Sequence, residues 1–226
     1  MAIAFADRGE AGRLVAEQLA DLAGDVGHGS DGADVVVLGL PRGGVPVAAE
    51  VAAALGAPLD VLVVGKVGVP GHEELALGAV ADDGTVALNP SVIDATHMSD
   101  AEVAELSRRH TAQLAARAAE LRDGRPAEPL ADRTVVIVDD GMATGATMRV
   151  AVEVVRRRGP RAVVAAVPVA SVEAAEGVGA VVDRMVCVLT PQGFRAVGSW
   201  YADFTQVGDG EVRELLRSAV QRADDA

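Results

Sequence analysis

Cysteine, lysine and aromatic residues are scarce in this sequence. Its 226 residues include a single cysteine, Cys187, which can form neither an internal disulfide nor a multi-thiolate metal site. Because Cys187 lies in an apolar run over residues 185–189, we expect it to be a buried and inert thiol. Lys66 is the one lysine among 20 basic residues, and aromatic side chains make up 2% of the chain.

Long apolar runs are also absent. No uninterrupted run approaches the roughly 20 apolar residues that a membrane-spanning helix needs. The first residues lack the basic segment and following apolar segment of a secretory signal peptide, so we expect a cytoplasmic protein without a membrane partner. The formal net charge of −13 argues against a nucleic-acid partner, because phosphate contacts need a surplus of Lys and Arg.

Apolar β-branched runs alternate with segments of helical periodicity. The runs are continuous Val, Ile and Leu, which is typical of strands that crossover helices bury on both faces. This order predicts an α/β fold with an open, mainly parallel twisted sheet flanked by helices. The predicted strands cover residues 35–40, 61–64, 135–138, 163–169 and 185–189. The predicted helices cover residues 11–23, 45–55, 100–121, 146–158, 172–176 and 211–222, the third of them marked by a capping box of Ser99 and Glu102.

The length of the chain suits one domain with a full core, which we expect to cover residues 1–226. Residues 67–99 interrupt the alternation as a long insertion. A hairpin is predicted within it at residues 82–84, Asp-Asp-Gly. Such an insertion beside a sheet is often a lid or a small subdomain.

Residues 135–147, VVIVDDGMATGAT, combine a buried strand, two adjacent acids, a loop of small residues and the start of a helix. Asp139 and Asp140 follow the strand directly, so we expect them at the C-terminal edge of the sheet, where open α/β sheets bind ligands. Two adjacent carboxylates can accept two vicinal hydroxyl groups. The loop offers backbone N–H groups at a helix N-terminus and two hydroxyl side chains, which suits a phosphate group. Its residues are Ala143, Thr144, Gly145, Ala146 and Thr147.

This segment resembles the signature of type I phosphoribosyltransferases that binds 5-phosphoribosyl-1-pyrophosphate (PRPP). In that family the two acids hold the 2- and 3-hydroxyls of ribose and the loop wraps the 5-phosphate. The resemblance therefore implies ribose contacts for Asp139 and Asp140 and phosphate contacts for residues 143–147. Gly141 departs from the family pattern, which usually has an aliphatic residue there, and we expect it to loosen the loop. The alternatives are a simple helix-capping turn, which needs only one such polar residue, and a Walker A loop, whose Gly-Lys-Ser/Thr is missing.

A second glycine-rich turn, Pro41-Arg42-Gly43-Gly44, follows the first predicted strand. Glycines beside an arginine can bring backbone amides and a bidentate guanidinium onto an anion. The resemblance implies that Arg42, Gly43 and Gly44 hold the leaving pyrophosphate, and it predicts a cis peptide bond between Pro41 and Arg42. Taken alone, the motif also fits an ordinary turn of an α/β fold.

Lys66 follows the second predicted strand and Gly65. A cation at the C-terminal edge of a strand beside the first could reach the pyrophosphate, as basic residues do in relatives; the alternative is a solvated strand end. In the insertion, Glu73 or Glu74 could contact the acceptor or a water-held magnesium ion.

Four of the five aromatic residues, Phe194, Trp200, Tyr201 and Phe204, cluster near the C-terminus. The resemblance implies that residues 190–226 form a hood and a final helix, with an acceptor base stacked on Trp200 or Tyr201. The alternative is a hydrophobic plug that anchors the final helix to the sheet.

The resemblance as a whole implies a transferase that attaches ribose 5-phosphate from PRPP to a nitrogenous acceptor, a nucleobase or related heterocycle, with release of pyrophosphate. The implied catalytic residues are Asp139, Asp140, Arg42 and Lys66. Mg²⁺ is expected to arrive bound to PRPP, without direct protein ligands, and the dimeric relatives imply a homodimer. Two alternatives stay open: a non-catalytic PRPP- or nucleotide-binding regulator, and an enzyme that hydrolyses a different phosphorylated sugar. A base-sized pocket under the aromatic cluster would favour the transferase, and a filled one the regulator.

Overall fold

A five-stranded parallel sheet forms the centre of the structure, a computed structural model that describes residues 4–25, 34–96 and 98–224. Across this main sheet the strands are β2 (Leu59–Val61), β1 (Val35–Gly39), β6 (Thr134–Val138), β7 (Ala162–Val169) and β8 (Arg184–Leu189). A smaller antiparallel sheet contains β3 (Val64–Val69), β4 (His72–Ala81) and β5 (Val86–Leu88). The predicted α/β class and mainly parallel sheet are confirmed.

Eight α-helices and one short 3₁₀ turn complete the described part of the chain. They are α1 (Arg8–Glu17), α2 (Ala20–Asp25), α3 (Gly44–Leu55), α4 (Pro90–Thr96), α5 (Asp100–Arg122), α6 (Ala146–Arg156), α7 (Val172–Gly179) and α8 (Asp209–Asp224), with the 3₁₀ turn at Val197–Trp200. The capping box at α5 is present as predicted, since Ser99 and Glu102 each accept from the other's backbone N–H. The single helix predicted over residues 11–23 is wrong: α1 begins earlier, because the Asp7 side chain caps it, and it ends before α2 begins.

Both faces of the main sheet are buried, which explains why its strands show no polar alternation. All residues of β1 and β6 are buried, and successive side chains point to opposite faces. Val37 and Val138 belong to the core that includes residues of α3 and α8. Val36 and Ile137 belong to the second core, which includes residues of α6. Crossover helices therefore cover the sheet on each side, as the continuous apolar runs indicated.

The strand predicted over residues 61–64 is wrong, because the chain changes sheets within it. β2 ends at Val61 and β3 begins at Val64, in the smaller sheet. The guanidinium of Arg122, from α5, donates to the Val61 carbonyl (2.7 Å) and to Asp60 Oδ1 (2.8 Å) just where β2 ends. The residues around this crossing are apolar because both sheets bury them. The continuous run of Val and Leu therefore gives no sign in the sequence that the chain passes from one sheet to the other.

The predicted hairpin at residues 82–84 is confirmed between the antiparallel strands β4 and β5. Its backbone turn is closed by a hydrogen bond from Gly84 N to the Ala81 carbonyl (3.1 Å). Cys187 is half-buried in β8, where burial raises its pKa to about 11 and so keeps the thiol protonated at neutral pH. Among the helices of the described ranges, none has both the length and the apolar character needed to cross a membrane.

The strand order sets the location of a ligand crevice. From β1 the chain continues to β2 on one side of the main sheet, while β6 lies on the other side of β1. In open α/β sheets, ligands bind outside the carboxyl ends of the strands at such a reversal of strand order. The loops that leave β1 and β6 are the two glycine-containing motifs.

Candidate functional site

The loops after β1 and β6 meet at the carboxyl edge of the main sheet. Leu40 N donates to the Val138 carbonyl (2.9 Å), which joins the two strand ends. Gly43 lies against the carboxylate of Asp140, and Gly44 lies against the backbone of Val138 and Asp139. The peptide bond between Pro41 and Arg42 is cis, as predicted. The fold therefore brings together the two motifs.

The loop from Ala143 to Thr147 leads into the N-terminus of α6. Gly145, the N-cap residue before this helix, has the left-handed conformation (φ 67°), which favours glycine. It contributes no side chain over the first-turn N–H groups, so these remain suited to an anion. Ser171 Oγ donates to the Ala143 carbonyl (2.9 Å) and holds the loop from behind. Ala143, Thr144 and Thr147 are exposed to solvent.

Gly141 does not loosen this loop, contrary to the expectation from its departure from the family pattern. A Cβ atom at residue 141 would lie 2.5 Å from Val197 Cγ1, so the Val197 side chain occupies the space that an aliphatic residue would need. Gly141 and Met142 are both buried, and Met142 N donates to the Val169 carbonyl (2.9 Å). The backbone after the two acids is thus packed and hydrogen-bonded.

The two carboxylates have different surroundings. Burial raises the pKa of Asp139 to about 8, and the adjacent Asp140 adds to the increase. Burial also raises the pKa of Asp140, but a hydrogen bond and charge from Arg8 oppose the effect. Arg8 Nε and Nη2 lie 2.9 Å and 2.8 Å from Asp140 Oδ2. Asp139 is therefore the member of the pair that more readily holds a proton, whereas Arg8 offsets part of the effect of burial on Asp140.

Residues 7–201 match the family model described as the phosphoribosyl transferase domain. The chain belongs to the phosphoribosyl transferase family. Over 215 residues it is 48% identical to two Mycobacterium tuberculosis proteins, from strains CDC 1551 / Oshkosh and ATCC 25618 / H37Rv, each named provisionally as a phosphoribosyl transferase. The match covers 95% of this chain and 47% of each relative, so the chain spans about half the length of the curated relatives it matches.

A solved structure shares this fold over nearly its whole length. The crystal structure of TT1426 from Thermus thermophilus is 46% identical to this chain, with a TM-score of 0.83. The alignment covers 95% of this chain and 98% of that chain. The resemblance to phosphoribosyltransferases inferred from the motifs is confirmed at the level of the family.

Arg8 is the site residue that sequence reasoning missed in this phosphoribosyl transferase family member. It begins α1, and 132 residues separate it from Asp140. Its Nη1 donates to the Thr205 carbonyl (2.8 Å), and its guanidinium carbon lies 4.0 Å from the centre of the Phe204 ring. No local pattern around Arg8 indicates either contact, since both partners come from distant segments.

The aromatic cluster packs inward. Tyr201 is 5% exposed and lies between Phe5 (5.2 Å between ring centroids) and Phe204 (5.0 Å). Its hydroxyl donates to the Asp140 carbonyl oxygen (2.6 Å). The prediction that a base stacks on Tyr201 does not fit this position, because its neighbours cover the ring; Tyr201 instead supports the backbone of Asp140. Trp200 belongs to the same cluster and is partly buried, and its role in base binding stays a prediction.

The two predicted cations lie apart. Arg42 Nη1 lies 3.5 Å from Asp209 Oδ1, at the start of α8, and its side chain is 37% exposed. Lys66 lies within β3, opposite Ala79, and not at the end of a strand beside β1, because the chain has already changed sheets. There Lys66 lines a cavity of about 320 Å³ together with Glu153 of α6. Its catalytic role stays a prediction.

Two further predictions concern acidic and metal-binding groups. The side chains of Glu73 and Glu74 lie outside the described residues. Within the ranges that the structure describes, His, Cys, Asp and Glu side chains form no group of three or more suited to a metal ion. The prediction that Mg²⁺ arrives as part of the PRPP complex is left untested by this finding.

Proposed function

We propose that the chain binds PRPP and transfers its ribose 5-phosphate to a nitrogen atom of a nucleobase or related heterocycle, releasing pyrophosphate. The observation that carries this proposal is the meeting of two loops at the carboxyl ends of β1 and β6, where Gly43 and Gly44 lie against Asp140 and Asp139. Arg42 and the two glycines suit the pyrophosphate of PRPP. The paired carboxylates suit the ribose hydroxyls, and the amide-lined loop suits the 5-phosphate. Membership in the phosphoribosyl transferase family supports the same assignment.

In the proposed reaction, the bond between ribose C1 and the pyrophosphate oxygen breaks as a bond from the acceptor nitrogen to C1 forms. Positive charge develops on the sugar ring, and the anionic carboxylate of Asp140 favours it while holding a hydroxyl. Arg42 and the backbone N–H groups of Gly43 and Gly44 stabilise the negative charge on the departing pyrophosphate. Mg²⁺, bound to PRPP as part of the substrate, neutralises further charge on the same oxygens. The acceptor nitrogen loses its proton to Asp140, to a group of the insertion or to solvent.

The proposal extends to the phosphate loop and to the assembly. Residues 143–147 bind the 5-phosphate through the N-terminus of α6, in the way that helix N-termini bind anions. In the proposed complex, Lys66 adds positive charge beside the pyrophosphate. We further propose a cytoplasmic homodimer that acts on PRPP and a heterocyclic base; sedimentation velocity measures the assembly directly.

A second candidate function is a non-catalytic regulator that binds PRPP. The packing of Tyr201 between Phe5 and Phe204 favours it, because these side chains fill the space where an acceptor base was expected. A regulator needs the same PRPP contacts and no acceptor pocket. The two candidates therefore differ in turnover and agree in PRPP binding.

Pyrophosphate release separates these candidates. The protein is incubated with PRPP, Mg²⁺ and a panel of purine, pyrimidine and related bases, and PRPP binding is measured in parallel by calorimetry. Release that depends on one base supports the transferase, whereas tight PRPP binding without release for any base supports the regulator. The variant with Asp139→Asn and Asp140→Asn is expected to lose PRPP affinity. Absence of PRPP binding to the unchanged protein would overturn both candidates.

A further inference from the structure

The guanidinium group of Arg8 contacts three other residues: Asp140, Thr205 and Phe204. Its Nε and Nη2 both reach Asp140 Oδ2, at 2.9 Å and 2.8 Å. Its Nη1 donates to the Thr205 carbonyl (2.8 Å), and its guanidinium carbon lies over the Phe204 ring. The side chain of Arg8 is 11% exposed. All of its guanidinium nitrogens are therefore used within the protein, so Arg8 is poorly placed to bind a ligand directly.

The hydrogen bonds from Arg8 end on one oxygen of Asp140. Among the described residues, Oδ1 of Asp140 receives no hydrogen bond, and Asp140 is only partly buried. Gly43 of the turn after β1 lies against Oδ2, the same oxygen that Arg8 holds. The carboxylate is thus fixed from two sides, with Oδ1 left as the acceptor for a hydroxyl group.

Arg8 is held in place by backbone pairing between the residues before α1 and the segment that follows the 3₁₀ turn. Ala202 N donates to the Phe5 carbonyl and Asp203 N to the Ala6 carbonyl, each at 2.8 Å. These backbone bonds place the start of α1 beside Phe204 and Thr205. Since packing and hydrogen bonds already restrict the Arg8 side chain, ligand binding needs to order it little further.

We propose that Arg8 is a positioning residue of the ribose site, which clamps the Asp140 carboxylate so that Oδ1 accepts a ribose hydroxyl. This inference rests on the proposed PRPP binding and adds to it a residue from α1. Arginine suits the role because its planar guanidinium brings two donors, Nε and Nη2, to the one oxygen Oδ2, whereas a lysine ammonium offers a single point charge.

The charges around Asp140 support the same role. Asp139 adjoins it in the chain, Tyr201 packs against its backbone, and Asp203 lies near Arg8. The charge of Asp140 helps to raise the pKa of Asp139, and Arg8 is the cation whose hydrogen bond and charge oppose the effect of burial on the Asp140 anion. Loss of Arg8 would leave the Asp140 carboxylate less ionised and fixed only by its packing against Gly43.

The test measures two ligands by calorimetry: Mg²⁺-bound PRPP, which carries ribose, and inorganic pyrophosphate, which does not. We expect Arg8→Gln to weaken PRPP binding by about tenfold, the effect of one charged hydrogen bond, and to leave pyrophosphate binding within about twofold. Arg8→Lys should recover part of the loss. Arg13→Gln is the matched control, because Arg13 lies on the same helix, is 61% exposed and pairs only loosely with Glu50 (3.7 Å); it should bind both ligands as the unchanged protein does.

A double-mutant cycle then tests whether Arg8 acts through Asp140. If it does, Arg8→Gln changes PRPP affinity by less than about twofold in a protein that already carries Asp140→Asn. An equal loss in both backgrounds, or equal losses for PRPP and pyrophosphate, overturns the inference while leaving the proposed function intact. Absence of PRPP binding to the unchanged protein overturns both. Should Arg8→Gln fail to fold, Arg8→Lys carries the same cycle, since it keeps the charge and loses the two-donor clamp.

Discussion

Gly43 lies so close to Asp140 that a Cβ atom at residue 43 would fall 2.0 Å from Oδ2 and 2.6 Å from Cγ. The substitution Gly43→Ala must therefore displace the carboxylate or the turn after β1. We expect it to weaken binding of Mg²⁺-bound PRPP by about tenfold or more, because the proposed ribose contact and the proposed pyrophosphate contact both shift. Calorimetric titration of PRPP measures the loss.

Gly210→Ala is the control for this substitution. A Cβ atom at residue 210 would meet no atom within 4 Å, and Gly210 lies in the first turn of α8. This variant should keep the PRPP affinity of the unchanged protein and gain up to about 1 kcal/mol in stability. Equal affinity in the Gly43 and Gly210 variants would show that the carboxylate is not held where we describe it.

The parts of the site that follow from the sequence are those whose chemistry lies in consecutive residues. Asp139 and Asp140 occupy one continuous segment with the small-residue loop that follows them. A buried apolar run precedes these acids, and another precedes the turn at Arg42. Both motifs are therefore predicted to lie at the C-terminal edge of the sheet. The strand order then brings β1 beside β6. The cis bond before Arg42 was likewise predictable, because the family resemblance includes it.

The parts that sequence reasoning missed depend on contacts between distant segments. Arg8 reaches Asp140 across 132 residues, and neither neighbourhood signals the other. Lys66 was misplaced because an apolar run crosses from one sheet to another without a polar residue to mark the change. For Tyr201, the presence of several aromatic residues in the sequence does not distinguish a ring that stacks on a base from a ring packed in a cluster. The structure makes the distinction, because Tyr201 is 5% exposed.

The contact between Arg42 and Asp209 predicts an effect on pyrophosphate binding. Asp209 lies 3.5 Å from Arg42 and is held more closely by Arg117, whose hydrogen bond keeps the pKa of Asp209 low and the group anionic. If Arg42 binds pyrophosphate as proposed, this anion competes with pyrophosphate for it. We expect Asp209→Asn to tighten pyrophosphate binding by about two- to fivefold at low salt, with the gain reduced at high salt by screening. Calorimetry at two ionic strengths measures both effects.

Asp21→Asn provides the comparison for the Asp209 variant. Asp21 is also a carboxylate paired with an arginine, Arg184 (2.6 Å), but it is more exposed than Asp209 and lies on α2, and the arginine lies on β8. The Asp21→Asn substitution removes the same charge from the protein and should leave the affinity for pyrophosphate unchanged. If both variants tighten binding equally, the cause is net charge and not the contact with Arg42.

The raised pKa of Asp139 predicts a pH dependence of stability. Its pKa is about 8 in the folded protein against an ordinary 3.8, so folding takes up a proton between these values. The stability that the protonated form provides is complete below about pH 4 and is lost as pH rises towards 8, by at most about 1.4 kcal/mol per pH unit. Asp139→Asn stays neutral and should lack this loss. The free energy of unfolding in urea of the variant, relative to that of the unchanged protein, should therefore increase from pH 5 to pH 8. Parallel curves for the two proteins would contradict the raised pKa.

Arg122 joins the insertion to the main sheet and predicts a large effect on stability. It is 6% exposed, and it pairs with two buried carboxylates: Asp60 Oδ1 within β2 (2.8 Å) and Asp82 Oδ2 after β4 (2.5 Å). The substitution Arg122→Met leaves both acids buried without their cation. Breaking a buried pair in this way costs about 3–5 kcal/mol, which urea unfolding measures as a lower free energy of unfolding.

Two further variants identify the cause of that loss. Arg217→Met removes an exposed arginine paired with Glu214, and it should change stability by no more than about 1 kcal/mol. Adding Asp60→Asn and Asp82→Asn to the Arg122→Met protein neutralises the stranded acids, so it should restore much of the lost stability if uncompensated charge is the cause. If the triple variant stays as unstable as Arg122→Met alone, the loss comes instead from the packing and geometry of the Arg122 side chain, which tethers α5 to both sheets.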